Sequence, residues 1–153
     1  MIISDSTALI VLFDLERIEL LENLFEKVYI TPVILKEISV KYPIVLPPFI
    51  KVEKLQDCTL FNALNMLLDL GESEAIALAK EKNLSIIIDE KKGRKIAKEL
   101  DLKVIGLLGV VYLNVKKGFL TKNEASEFVE NAIEHGYRIS RKMVDEVLAA
   151  LDG

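Results

Sequence analysis

Asp5, Glu37, the pair Glu72 and Glu74, and the pair Asp89 and Glu90 are the residues whose types and spacing could do chemistry together. Clustered carboxylates repel one another, and the simplest reason to gather them is a hard divalent cation, which takes oxygen ligands. The hydroxyls of Ser6 and Thr7 follow Asp5 directly, and Lys91, Lys92, Arg94 and Lys95 follow the Asp89-Glu90 pair. A basic run beside an acidic pocket suits contacts to a phosphate backbone, and it equally suits a solvated helix face.

Each acidic residue also has a plainer reading. Asp5 ends an apolar run and could be the N-cap of a following helix, a role that Ser6 or Thr7 could share. Glu72 and Glu74 would favour the macrodipole in the first turn of a helix. Two residues apart on a helix, they point about 200° from one another, so both cannot easily face one cation. Asp89 and Glu90 could simply start the helix at Lys91. Glu37 is harder to dismiss, because apolar residues stand at Val33, Ile34 and Ile38 around it. A half-buried Glu requires a cation or a donor. His135, just before Gly136, reads as a dipole partner at a helix C-terminus, and Asp69 reads as a cap.

The elements that must position these groups alternate between short β-branched runs and helical spacing, which predicts an α/β domain with a mainly parallel sheet. Strands are expected at 2–4, 28–30, 50–55, 84–88 and 103–105. Thr31 and Pro32 open a helix as N-cap and first helical residue. Three of the four prolines fall in 42–49, an extended loop. Helices are expected over 60–68 and 72–82, broken at Gly71, then over 91–100 and 106–117. Thr121 with Glu124 forms a capping box before a helix to His135, and Ser140 caps a last helix to Leu151. If the first and fourth strands are neighbours, Asp5 and Asp89-Glu90 meet beyond their carboxyl ends, where open α/β sheets gather functional groups.

Twenty Lys and Arg against twenty-four Asp and Glu give a net charge of −4, which argues against a broad electropositive face. The weight of Lys, Glu and Ile resembles the composition of hyperthermophile proteins. No apolar run approaches the ~20 residues of a membrane span, and the first residues lack the basic start of a secretion signal, so a cytoplasmic location is expected. Cys58 has no intrachain partner and reads as a small, at least half-buried hydrophobe. At 153 residues, half of them apolar, one domain is expected over 1–153.

In this order, Ile2-Ile3-Ser4-Asp5-Ser6-Thr7, Ile30-Thr31-Pro32-Val33-Ile34-Leu35-Lys36-Glu37, Gly71-Glu72-Ser73-Glu74-Ala75 and Ile87-Ile88-Asp89-Glu90-Lys91-Lys92-Gly93-Arg94 resemble the motifs of the PIN-domain family over about the first 115 residues. The resemblance implies a three-layer α/β/α fold with a core of about 1–117 and extra C-terminal helices over about 118–153. It implies a metal-dependent endoribonuclease in which Asp5, Glu37, Glu72 or Glu74, and Asp89 or Glu90 hold one or two Mg²⁺ or Mn²⁺ ions. Ser6, Thr7, Lys91, Lys92 and Arg94 would meet the RNA, and a homodimer is implied.

A Glu at the third acidic position, the proline-rich insertion and the helices after Thr121 suggest a prokaryotic or archaeal subfamily apart from standard toxins of toxin–antitoxin pairs. Two other roles stay open. One is a degenerate fold that binds RNA or protein without cleaving. The other is a toxin whose antitoxin-like partner lies on the apolar stripes of the last two helices. The plainer reading of those stripes is packing on the chain's own core.

Overall fold

The computed structural model describes residues 1–41 and 43–151; Tyr42, in the expected loop, and the last two residues fall outside them. Among the described residues five strands alternate with helices, as the switching periodicity requires. The strands are β1 (Ile2–Ser4), β2 (Val28–Ile30), β3 (Ile50–Val52), β4 (Ile86–Ile87) and β5 (Val104–Ile105). They form one sheet in the order β3-β2-β1-β4-β5, and every pairing is parallel. The sheet is therefore wholly parallel, and β3 ends at Val52, short of the expected 50–55.

β1 and β4 are neighbours, with Ile3 opposite Ile86 and Ser4 opposite Ile87. The ladder runs one residue further, because Asp5 N–H donates to Ile87 O at 2.9 Å. The chain leaves β1 toward β2 and β3 on one side, then returns to place β4 and β5 on the other. This reversal is a topological switch point, where the carboxyl ends of adjacent strands open a crevice. Asp5 and Asp89 follow the two strands that flank it.

Helices cover both faces of the sheet. α1 (Ser6–Asp14) packs on α3 (Pro32–Ile38), which packs on α5 (Leu70–Lys82), with α4 (Thr59–Leu64) against α5. α7 (Leu107–Lys116) gathers the short α2 (Glu19–Glu22), α8 (Lys122–Glu134) and α9 (Arg141–Ala150), while α6 (Lys91–Glu99) lies on β5 and beside α5, whose Lys80 Nζ donates to Leu100 O at 3.0 Å. Strand residues Ile3, Val28, Ile30, Ile86 and Ile87 are wholly buried, as expected for strands covered on both faces.

The local start signals act as their chemistry predicts. Thr31 Oγ1 accepts from Ile34 N–H at 3.2 Å and Ser140 Oγ from Met143 N–H at 3.2 Å. Thr121 and Glu124 close a reciprocal capping box at 3.1 and 3.0 Å. The break before α5 lies earlier than Gly71: Asp69 is the N-cap, accepting from Glu72 N–H at 2.9 Å, and Gly71 sits inside the helix. An Asp cap with a free N3 amide outweighs the weak helix propensity of one glycine.

The apolar stripe of α8 is consumed by the chain's own core, with Ala125, Phe128, Val129 and Ala132 buried; on α9 only Val144 is. These residues join the same core cluster as the sheet. Cys58 is exposed, contrary to expectation, because it precedes α4 on a polar surface segment. Among the described residues no helix is long and apolar enough to cross a membrane.

Candidate active site

Asp5 stands at the N-cap position of α1, yet its side chain makes no capping hydrogen bond. It is 4% exposed, so a carboxylate is held inside the protein without the cap's usual return. Burial pushes its pKa up to about 7; the Ser6 backbone amide opposes this, and the charges of Glu37, Asp69 and Asp89 add to it. The flanking hydroxyls belong to the same turn: Ser6 is buried and Thr7 half-buried.

Glu37 comes from the last turn of α3 and meets the first turn of α5. Its Oε1 is buried without any hydrogen-bond partner. Burial raises its pKa, and so do the charges of Asp69 and Glu74. Its carboxylate lies on Gly71, where a Cβ would stand 2.0 Å from Oε1. Glu72 is 7% exposed and raised to about 8, first by burial and then by Asp69, Asp5 and Glu90. Gly93 of α6 makes room for it, since a Cβ there would meet the Glu72 Cδ at 3.6 Å and Ile88 Cδ1 at 2.6 Å.

The structure separates the members of the two acidic pairs. Glu74 turns toward α3, where its Oε1 accepts from Val33 N–H at 3.2 Å. Glu90 is the exposed N-cap of α6 and accepts from Gly93 N–H at 2.9 Å, close enough to Glu72 to raise it. Asp89 is half-buried and accepts from Leu107 N–H at 3.1 and 3.2 Å, at the start of α7. Its pKa is raised by burial against the lowering effects of Tyr137, Leu107 and the Arg94 guanidinium. Arg94 is thus turned toward Asp89, whereas Lys91, Lys92 and Lys95 are exposed on α6.

Asp5, Glu37, Glu72 and Asp89 thus share one end of the sheet, coupled through their charges. Among the described residues, no three His, Cys, Asp or Glu side chains are drawn onto one point as a metal centre. The donor set nonetheless suits a hard cation: four carboxylates, two lifted to near neutrality, and a buried carboxylate oxygen with no donor.

Two neighbours escaped the sequence reading. Asp69 is the expected cap, but its charge also bears on Asp5, Glu37 and Glu72. Its position three residues before Glu72 was the available signal. Tyr137 donates to Asp89 Oδ1 at 2.7 Å from the far end of the chain. A buried tyrosine needs an acceptor for its hydroxyl, but no sequence spacing shows which.

The family model DUF3368, described as a PIN domain, matches residues 1–152. The chain belongs to the PIN-domain family. The match runs through α8 and α9, beyond the 115 residues that carry the motif resemblance. PIN domains are generally nucleases and generally use Mg²⁺ or Mn²⁺. A PilT N-terminus domain protein from the hyperthermophilic archaeon Sulfolobus solfataricus P2 is similar at 18% identity and a TM-score of 0.41, covering 92% of this chain and 100% of that one. No curated protein matches this chain.

The contact between Glu37 and Gly71 in this PIN domain gives a first prediction. Gly71→Ala improves helix propensity by roughly 0.8–1 kcal/mol, while its Cβ displaces only the end of a flexible Glu. The variant should unfold at or above the wild-type temperature yet bind Mn²⁺ about tenfold more weakly. Calorimetry and a Mn²⁺ titration on one preparation would read both; unaltered Mn²⁺ affinity would remove Glu37 from the ligand set.

Proposed function

We propose that this chain is a Mg²⁺- or Mn²⁺-dependent endoribonuclease acting at the crevice between β1 and β4. The observation that carries the reading is Asp5, a buried carboxylate at the switch point that caps no helix and is crowded by Glu37, Glu72 and Asp89. Asp5, Glu37, Glu72 and Asp89 would hold the metal, with Glu74 and Glu90 engaged mainly as helix caps. A bound divalent ion supplies a water of lowered pKa and offsets charge on the leaving oxygen of a phosphodiester.

The chain's own residues do the rest. The buried carboxylates must shed their protons to become ligands, which ties activity to pH. Ser6 and Thr7 orient a water or phosphate oxygen at the first turn of α1. Lys91 and Lys92 grip the RNA backbone from α6, while Arg94 restrains Asp89. We further propose that the chain works as one cytoplasmic domain with C-terminal helices, as a homodimer. An antitoxin-like protein would be a regulatory partner if the chain is the toxin of a pair.

The test is cleavage of mixed single-stranded and structured RNAs with Mn²⁺, Mg²⁺ or EDTA, comparing wild type, Glu72→Gln and Glu74→Gln. Metal-dependent cleavage is expected to fall at least about a hundredfold in Glu72→Gln and far less in Glu74→Gln. Mn²⁺ binding without cleavage in the wild type would replace the nuclease with a non-catalytic RNA- or protein-binding module.

A further inference from the structure

Helix α8 ends in a turn that brings the C-terminal part of the chain to the acidic crevice. Gly136 takes φ +95°, its N–H donates to Ile133 O at 3.0 Å, and Tyr137 N–H donates back to Ala132 O at 3.0 Å. This is a Schellman stop, in which the residue after the glycine folds onto the helix it ends. Here that residue is Tyr137, 5% exposed, whose hydroxyl crosses to Asp89.

Beside this contact a groove of about 330 Å³ is lined by α1, at Thr7, Ile10 and Asp14, by Asp89 and Glu90, and by the turn, at Tyr137 and Arg138. Lys41 also lines it and is paired with Asp14 at 3.1 Å. Arg138 is exposed, and among the described residues no carboxylate pairs with it. A polyanion approaching an acidic crevice on a chain of net charge −4 needs a cation beyond the acids. Arg94 answers to Asp89, whereas the exposed Arg138 lines the groove.

We propose that the α8–α9 turn is part of the site: Tyr137 is a positioning residue for Asp89, and the groove beside it takes the backbone of a single-stranded polynucleotide, with Arg138 on a phosphate. This rests on the nuclease reading for its substrate class. The Tyr137 hydroxyl donates a hydrogen bond to Asp89 Oδ1 and Leu107 N–H reaches both carboxylate oxygens, so the two together fix the orientation of the carboxylate. Ile10 and Val11 offer an apolar wall to the sugars and bases, while Thr7 adds a hydroxyl.

Binding is measured first without metal, by anisotropy of a fluorescein-labelled single-stranded oligoribonucleotide in EDTA at several salt concentrations. Arg138→Ala should weaken binding several-fold and reduce the salt slope by about 0.7, while Arg141→Ala, outside the groove, should not. Wild-type binding by Arg138→Ala would overturn the groove. Tyr137→Phe keeps the ring and removes only the hydroxyl. It should lower Mn²⁺ affinity, read by electron paramagnetic resonance, about tenfold, and lower kcat with KM nearly unchanged; Arg138→Ala should raise KM at constant kcat. Unaltered Mn²⁺ affinity in Tyr137→Phe would overturn the positioning role. If the wild type cleaves nothing, the nuclease reading fails, and the EDTA and resonance measurements still decide this proposal.

Discussion

Asp5→Asn should abolish metal-dependent cleavage and, at pH 8 without metal, unfold at a higher temperature than wild type. The folded protein holds the Asp5 pKa at about 7, against 3.8 for the free group. Between these values the folded state binds more protons than the unfolded state, so the stability of the metal-free protein falls as pH rises. Glu72, raised to about 8 from 4.5, extends the same slope to higher pH. The Asp5 penalty is nearly complete by about pH 8 and the Glu72 penalty by about pH 9, and both are largely absent below about pH 4.

Asparagine cannot ionise, so it removes the Asp5 share of this penalty. A shift of about three pKa units corresponds to about 4 kcal/mol, but the new amide needs acceptors of its own, so a gain of about 1–3 kcal/mol is expected. For a domain of this size that is roughly 2–12 °C. Below about pH 4 the penalty is gone and only the cost of the amide remains, so there the variant should unfold at or below the wild-type temperature. Thermal unfolding of both proteins from pH 4 to 8 checks this, and a variant less stable than wild type at pH 8 would show that ionising the buried Asp5 costs the fold little.

Mn²⁺ binding should tighten steeply with pH. Asp5 and Glu72 must both lose protons to become ligands, and at pH 6 both are mainly protonated. From pH 8 to pH 6 the affinity should fall on the order of 10²- to 10³-fold, with about one to two protons released per ion at pH 7. Calorimetric titration in buffers of different ionisation enthalpy counts those protons directly. An affinity independent of pH, with no proton release, would exclude both residues as ligands. Metal at a hundredfold excess over Kd should also stabilise wild type by about 2.7 kcal/mol, raising its unfolding temperature, and leave Asp5→Asn nearly unmoved.

Most elements were legible because their signals are local. Thr31-Pro32, the Thr121-Glu124 box and Ser140 each mark a helix start through one side chain and a nearby amide, so sequence distance and spatial distance coincide. The break before α5 was misplaced because the cap Asp69 competes with a more conspicuous glycine two residues later. Asp5, Glu37, Glu72 and Asp89 could be picked out by type and place, although Asp5 and Asp89 looked equally like caps.

The sequence by itself determined the alternation of strand and helix, the PIN-domain motifs and the acidic residues that end β1 and β4. Only the tertiary structure decided that β1 lies beside β4, that Asp5 caps nothing, and that Glu74 serves α3 while Glu72 faces Asp5 and Glu90. It alone carried Tyr137 to Asp89 across 48 residues. The physical reason is that caps and periodicity are set within one turn of chain. Which carboxylate is buried, crowded or already bonded depends on neighbours supplied by strand order and helix packing, and a linear pattern carries no record of them.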